Sequence, residues 1–173
     1  MDRQIDIREL FMSYQQKIIK ALKILADKKD FYDMLLSHGV SPKSMGDMRE
    51  KLIISDNKLI VYRAIITDKI RTRSLGIYWA YDKDAAWPYD GRDEANDKAG
   101  FYVVVALVPV ESVNMQATAT ATKMSEQEIT VAQGKRILLK EIRYFGSWTK
   151  VRSRGFDFDQ PQDIETINEW AEA

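Results

Sequence analysis

The chain of 173 residues has no cysteine and a single histidine, His38. Without thiols it has no disulfide framework, no thiolate metal site and no cysteine nucleophile. With one imidazole it cannot form a multi-histidine metal centre, and any Ser-His-Asp arrangement would have to be built on His38, just before Gly39 at what reads as a helix end. Charge of either sign is not in excess: 26 basic side chains balance 26 acidic ones. That balance argues against a partner held by bulk electrostatics, such as duplex DNA or an anionic membrane face. The longest apolar run, over 103–110, is far short of the roughly 20 residues of a membrane helix. No apolar segment of a secretory signal follows Met1-Asp2-Arg3-Gln4, so a cytoplasmic protein is the expectation. The Gly-rich phosphate loop, the dinucleotide fingerprint, the zinc-protease helix and the calcium loop are all missing.

What is present is an ordinary globular composition, 45% hydrophobic and 30% charged, long enough for one domain with a helical appendage. From 5 to 25 the apolar residues Ile7, Leu10, Phe11, Tyr14, Ile18, Leu22 and Leu25 recur three or four apart, the period of an amphipathic helix. Such a face is more often core than interface, so these helices are expected to pack on the body. A second helix is expected over 30–37, with Asp30 as N-cap and Gly39 as stop, and a third over 44–54. The turn cluster Ser55-Asp56-Asn57 divides this helical part (1–55) from a strand-rich part (56–173). Strands are expected over 59–66, 76–80, 101–108, 128–131 and 135–142, the last two as a hairpin about Ala132-Gln133-Gly134. A helical turn is expected within 82–89, a loop over 90–98 and a C-terminal helix over 163–171. The pattern is α+β.

Three strand-associated features carry chemistry. Arg63 lies inside an apolar strand, Val61-Tyr62-Arg63-Ala64, where alternation sets Arg63 with Val61 and Tyr62 with Ile60. A guanidinium there needs an anion or a set of acceptors, although a structural salt bridge would also serve. Gly76-Ile77-Tyr78-Trp79-Ala80 gives one ring to each face of a strand, one for core and one available to a planar ligand, unless both merely pack. Glu126 and Glu128, two apart at the start of a strand, point the same way and hold like charges together. A solvated strand end would read the same, so the ordered set of three is what informs.

That set resembles the ADP-ribosyltransferase superfamily, whose members carry an Arg or His on an early strand, an aromatic or Ser-Thr-Ser element on a second and a catalytic Glu on a later one. Tyr62-Arg63 resembles the first, Gly76 to Ala80 the second, and Glu126-Gln127-Glu128-Ile129 the third. The resemblance covers 59–142. Its second element is similar to the Gly-x-Tyr element of the poly-ADP-ribose polymerase branch, whose first motif is His where this chain has Arg63.

The resemblance implies a β-sandwich core of two packed small sheets behind the N-terminal helices. It also implies a mono-ADP-ribosyltransferase that moves ADP-ribose from NAD to a protein side chain, with arginine expected from the Glu at 126, and releases nicotinamide. Glu128 would bond the ribose 2′-hydroxyl, Glu126 would orient and deprotonate the acceptor, and Arg63 would hold a phosphate or the ribose. Tyr78 or Trp79 would stack on nicotinamide, while the backbone at Tyr62, Arg63 and Ala64 would bond its amide. No metal is required. The segment 115–125 stands where the family has its substrate-recognition loop. Phage-encoded and toxin-type effectors of this size share the fold, which implies a host protein as target. The alternatives are an inactive binding module on the same fold, working through the N-terminal helices, and an NAD glycohydrolase with water as acceptor.

Overall fold

The computed structural model describes residues 7–73, 75–88 and 99–173. The expected loop over 90–98 and the start of the N-terminal helix lie outside the described residues, as does the side chain of Leu10.

One helix, α1 (Ile7–Ser37), replaces the two expected there. Nothing between Leu25 and Asp30 breaks a helix, so Asp30 is an interior residue rather than a cap. Gly39, at φ +80°, ends it, with its amide donating to the Leu36 carbonyl. Among the described residues, the C-terminal part of α1 packs on the core of the body, through Phe31, Tyr32 and Leu35. The amphipathic face upstream is exposed instead of packed. A short α2 (Gly46–Lys51) follows, set into the core by Met45 and Met48.

The body is built from β1 (Ile54–Ser55), β2 (Lys58–Thr67), β3 (Tyr78–Ala80), β4 (Gly100–Pro109), β5 (Glu128–Thr130), β6 (Arg136–Ser147) and β7 (Asp163–Glu172). Every pairing is antiparallel, and the order is β5-β3-β2-β4-β6-β7 with β1 on β2. These strands form one hydrogen-bonded sheet rather than two separate ones. Yet β2 and β3 meet at a single residue pair, Tyr62↔Ala80, whereas β2 and β4 are paired over their whole lengths.

Both faces of the sheet are covered, which is why β4 is apolar at successive positions. Val104, Ala106 and Val108 join one core with Leu59, Val61, Trp79 and Ile129. Phe101, Val103 and Val105 join a second with Tyr62, Phe145 and Trp148. One extra residue in β6 between Leu139 and Glu141 shifts its alternation, so Ile137, Leu139 and then Ile142 all reach the first core.

Three sequence expectations are corrected. The strands β5 and β6 are not a hairpin: β5 pairs with β3, β6 lies between β4 and β7, and the turn at Gly134 donates to Ala173. The C-terminal helix is the strand β7, whose Ile164, Ile167 and Ala171 imitate helical spacing because an extra residue interrupts its pairing with β6. The expected recognition loop over 115–125 is largely the helix α3 (Met115–Lys123), capped by Asn114, whose side chain accepts from the Ala117 amide. Its Ala-Thr repeat buries Thr118, Ala119, Ala121 and Thr122. The Thr122 hydroxyl donates back to the Thr118 carbonyl at 2.8 Å and so is satisfied inside the helix. The stretch after β6 forms α4 (Trp148–Arg154), which caps the second core. No described helix is long and apolar enough to cross a membrane.

Candidate functional site

Beyond the pair Tyr62↔Ala80, β2 and β3 part. Among the described residues no strand pairs with 63–66 of β2 on that side, and a crevice of about 930 Å³ opens along them. Arg63 lies at the split. Its Nη1 donates to the Tyr78 carbonyl at 2.5 Å, bridging the two strands by a side chain where the ladder stops. The guanidinium rests over Gly76, where a Cβ would come within 3.1 Å of Nη2; Gly76 also holds φ +78°. The backbone angle favours glycine, and a side chain here would also press on the guanidinium, which would have to give by a few tenths of an ångström.

The two rings of the second element divide as alternation demands. Tyr78 is 53% exposed and lines the crevice. Trp79 is 1% exposed, with its ring in the first core and its Nε1 donating to the Gly76 carbonyl at 3.1 Å. The stacking role that the resemblance left open between them is therefore unavailable to the Trp79 ring. Tyr62 also borders the crevice, but its ring is a buried side chain of the second core, set edge-on to Phe158. Ala64 lines it beside Ile65 and Ile66.

The opposite wall comes from the end of α3 and the start of β5. Ser125, at φ +61°, turns the chain out of the helix, and the Glu126 amide returns to the Ala121 carbonyl at 2.9 Å. Glu126 and Glu128 then both line the crevice. Glu126 is exposed and Glu128 half-buried. Burial pushes the Glu128 carboxyl above the ordinary carboxylate range and the nearby Glu126 adds to this, while a hydrogen bond from Thr130 and the Arg63 charge oppose it. The Thr130 hydroxyl donates to Glu128 Oε1 at 3.1 Å. The Thr130 backbone is fixed in turn by Thr118 of α3, whose Oγ1 accepts from its amide at 3.0 Å.

No protein-family model, curated protein or solved structure matches the chain. The geometry of the site therefore stands on its own residues.

Two contributions were not legible in the sequence. Trp87 and Pro88, after a 3₁₀ turn over Lys83–Ala85, form a further wall. The half-exposed Trp87 ring leans on Trp148 and Phe101 of the second core. Its only sequence signal is a tryptophan beside a proline in the segment 82–89, where a helical turn is expected. Asp47 of α2 is the other: it accepts from Gln127 Nε2 and from the Tyr81 hydroxyl, each at 2.8 Å, and pairs with Lys51 at 2.8 Å. Lys51 also pairs with Asp82 at 3.0 Å, the residue that caps the 3₁₀ turn. Two walls of the crevice are thereby tied to one short helix. Among the described residues, no group of three or more His, Cys, Asp or Glu could hold a metal ion.

Proposed function

We propose that the chain is a mono-ADP-ribosyltransferase that transfers ADP-ribose from NAD to a protein side chain, with arginine as acceptor and nicotinamide as leaving group. One observation carries this reading: Arg63 of β2, Tyr78 of β3, Glu128 of β5 and Glu126 just before β5 line one crevice at the split of the sheet. Its volume of about 930 Å³ is at the upper end of ordinary ligand sites, roughly 300–1,000 Å³, and has room for a dinucleotide. The single pair joining β3 to β2 fits the same reading of the fold, with β3 and β5 as the smaller leaf of a transferase-like sandwich.

In this mechanism the bond between nicotinamide and ribose C1′ breaks first, and its electron pair leaves with nicotinamide. Positive charge develops on the ribose as in glycoside cleavage. Glu128, bonded to the 2′-hydroxyl, stabilises that charge from a half-buried position where a carboxylate acts more strongly than in water. A nitrogen of the acceptor arginine attacks C1′ and gives its proton to Glu126. Arg63 holds a phosphate by charge-assisted bonds, and the exposed Tyr78 ring stacks on nicotinamide. The target is a host protein in a cytoplasmic setting, as for phage-encoded and toxin-type effectors. A second reading, NAD hydrolysis in the same site, is favoured by the exposure of Glu126, which water can reach.

Incubating the protein with NAD labelled in the adenylate, with and without a cell lysate, tests the proposal. Label on a protein band together with released nicotinamide is the expected result. Nicotinamide without labelled protein selects hydrolysis. No nicotinamide release at all would leave only a binding module. Glu126→Gln is expected to suppress transfer and spare much of the NAD cleavage, and Glu128→Gln to abolish both; equal cleavage by Glu128→Gln and wild type would overturn the mechanism.

A further inference from the structure

Among the described residues of the body, three aromatic rings are exposed: Tyr78, Trp87 and Trp170. The Arg136 guanidinium covers the ring of Trp170, 5.4 Å from its centroid. The other two both line the crevice, and they stand at different places along it. Tyr78 bonds Arg63 through its carbonyl, and Glu128 is close enough to Arg63 to feel its charge. Trp87 instead leans on Phe101, the ladder partner of Ile66. Ile66 lies three residues beyond Arg63, about 10 Å along β2 at roughly 3.3 Å per residue. The crevice is thus divided. Its described charged side chains, Arg63, Glu126 and Glu128, gather at one end, while the neighbours of Trp87 in its lining, Ala85, Ala86 and Pro88, are apolar.

We infer that Trp87 is the platform on which the adenine of the dinucleotide stacks, at the far end of the crevice from the reacting ribose. The inference rests on the NAD reading of the crevice and adds to it the residue that holds the second base. The Trp87 ring is set in place before a ligand arrives. Its packed side meets Trp148 at 5.4 Å, Phe101 at 6.0 Å and Phe156 at 6.4 Å between ring centroids, yet 44% of the residue stays exposed. Asp82 caps the preceding turn by accepting from the Asp84 amide at 3.0 Å, and Lys83 of that turn pairs with Asp159. Pro88 restricts the Trp87 backbone to extended angles. A ring fixed in this way offers a large flat surface at little cost in side-chain entropy. The chemistry of the ligand matches the division of the crevice: a phosphate at Arg63 separates the two nucleosides, and the uncharged base falls at the uncharged end. Stacking needs only the π-face of a base, and the side chains of Ala85, Ala86 and Pro88 have no hydrogen-bonding group to offer its edge.

Calorimetric titration of the full chain with AMP and with nicotinamide mononucleotide separates the two ends. Wild type is expected to bind both. Trp87→Ala should weaken AMP binding about tenfold and leave nicotinamide mononucleotide binding unchanged, whereas Tyr78→Ala should do the reverse. Trp87→Phe keeps a flat ring and should recover most of the AMP affinity. Trp87→Leu keeps apolar packing against Trp148 without a ring and should not, which preserves the test if the alanine variant fails to fold. AMP bound at wild-type strength by Trp87→Ala or Trp87→Leu overturns the inference, as does an equal loss of both nucleotides. A wild-type chain that cleaves NAD yet binds no AMP at millimolar concentration also overturns it and leaves the NAD reading standing. Unchanged AMP affinity with loss of labelling of lysate protein in Trp87→Ala would give the ring to the target protein instead. A wild type that binds neither nucleotide and cleaves no NAD overturns the NAD reading, and the inference with it.

Discussion

Gln127 donates to Asp47 at 2.8 Å across 80 residues of sequence, so the residue between the two acids of the crevice is held by α2. The same carboxylate receives the Tyr81 hydroxyl and Lys51. Hydrogen bonds from these groups, that of Lys51 foremost, hold the Asp47 carboxyl below its ordinary range.

Asp47→Ala should therefore act in two ways. Stability should fall by about 1 kcal/mol, the net worth of bonds to a partly solvated carboxylate, and Tm by about 2–4 °C. The depressed carboxyl contributes stability that is present above the unfolded carboxylate pKa and lost as pH falls through the folded value. The variant should accordingly lose less stability on acidification than wild type, measured by urea unfolding at pH 7 and pH 3. NAD cleavage should drop further than the Tm shift explains, because Glu126 and Glu128 lose their anchor. Unchanged cleavage would separate α2 from the site.

Tyr78 and Trp79 should behave oppositely. Tyr78→Ala removes an exposed ring and should change stability by no more than about 0.5 kcal/mol while raising KM for NAD about tenfold. Trp79→Ala empties a buried position and should cost about 3–5 kcal/mol. Thermal unfolding and NAD kinetics of the pair check this, and a strongly destabilised Tyr78→Ala would contradict its placement.

In the proposed mechanism Glu128 should set the acid limb of the pH profile. Burial raises its pKa, so the fold prefers its protonated form, and this contribution to stability is present at low pH and lost as pH rises through the folded value. The proposed mechanism needs the carboxylate, so kcat/KM for NAD cleavage should rise with pH through a pKa above the ordinary glutamate value of about 4.3. Glu126→Gln removes the like charge and should move that limb to lower pH. A limb at or below the ordinary value in wild type would refute the assignment.

Gly76→Ala should disable the site through Arg63. The left-handed angle, φ +78°, costs an alanine about 1 kcal/mol, and the new Cβ displaces the guanidinium. NAD affinity by calorimetry should fall about tenfold, and Arg63→Lys should fall similarly because an ammonium cannot keep the planar bridge to the Tyr78 carbonyl.

Strand existence was legible wherever apolar and β-branched residues cluster, as in β2 and β4, because burial on both faces leaves a continuous apolar run. The three chemistry-bearing strands could also be placed in order. Their pairing could not: the position of β6 between β4 and β7 depends on long-range register, which local spacing around Gly134 does not encode. Irregular pairing hid β7, since an extra residue beside Asn168, at φ +55°, breaks the two-residue period. Thr-rich α3 was hidden for a different reason, its hydroxyls being satisfied by helix carbonyls and by Thr130. Of the residues that line the crevice, Arg63, Tyr78, Glu126 and Glu128 are named by residue type and order, whereas Trp87 and the supporting Asp47 come from segments with no motif of their own.

The outermost strand β7 bears Asp163, Glu165, Glu169 and Glu172 and is exposed along most of its length. Its free backbone groups would otherwise be a template on which another chain could add a strand. A fringe of four negative charges with an irregular step at Asn168 makes that margin repel its own likeness, so sheet growth stops at this border and contact between molecules is left to other surfaces.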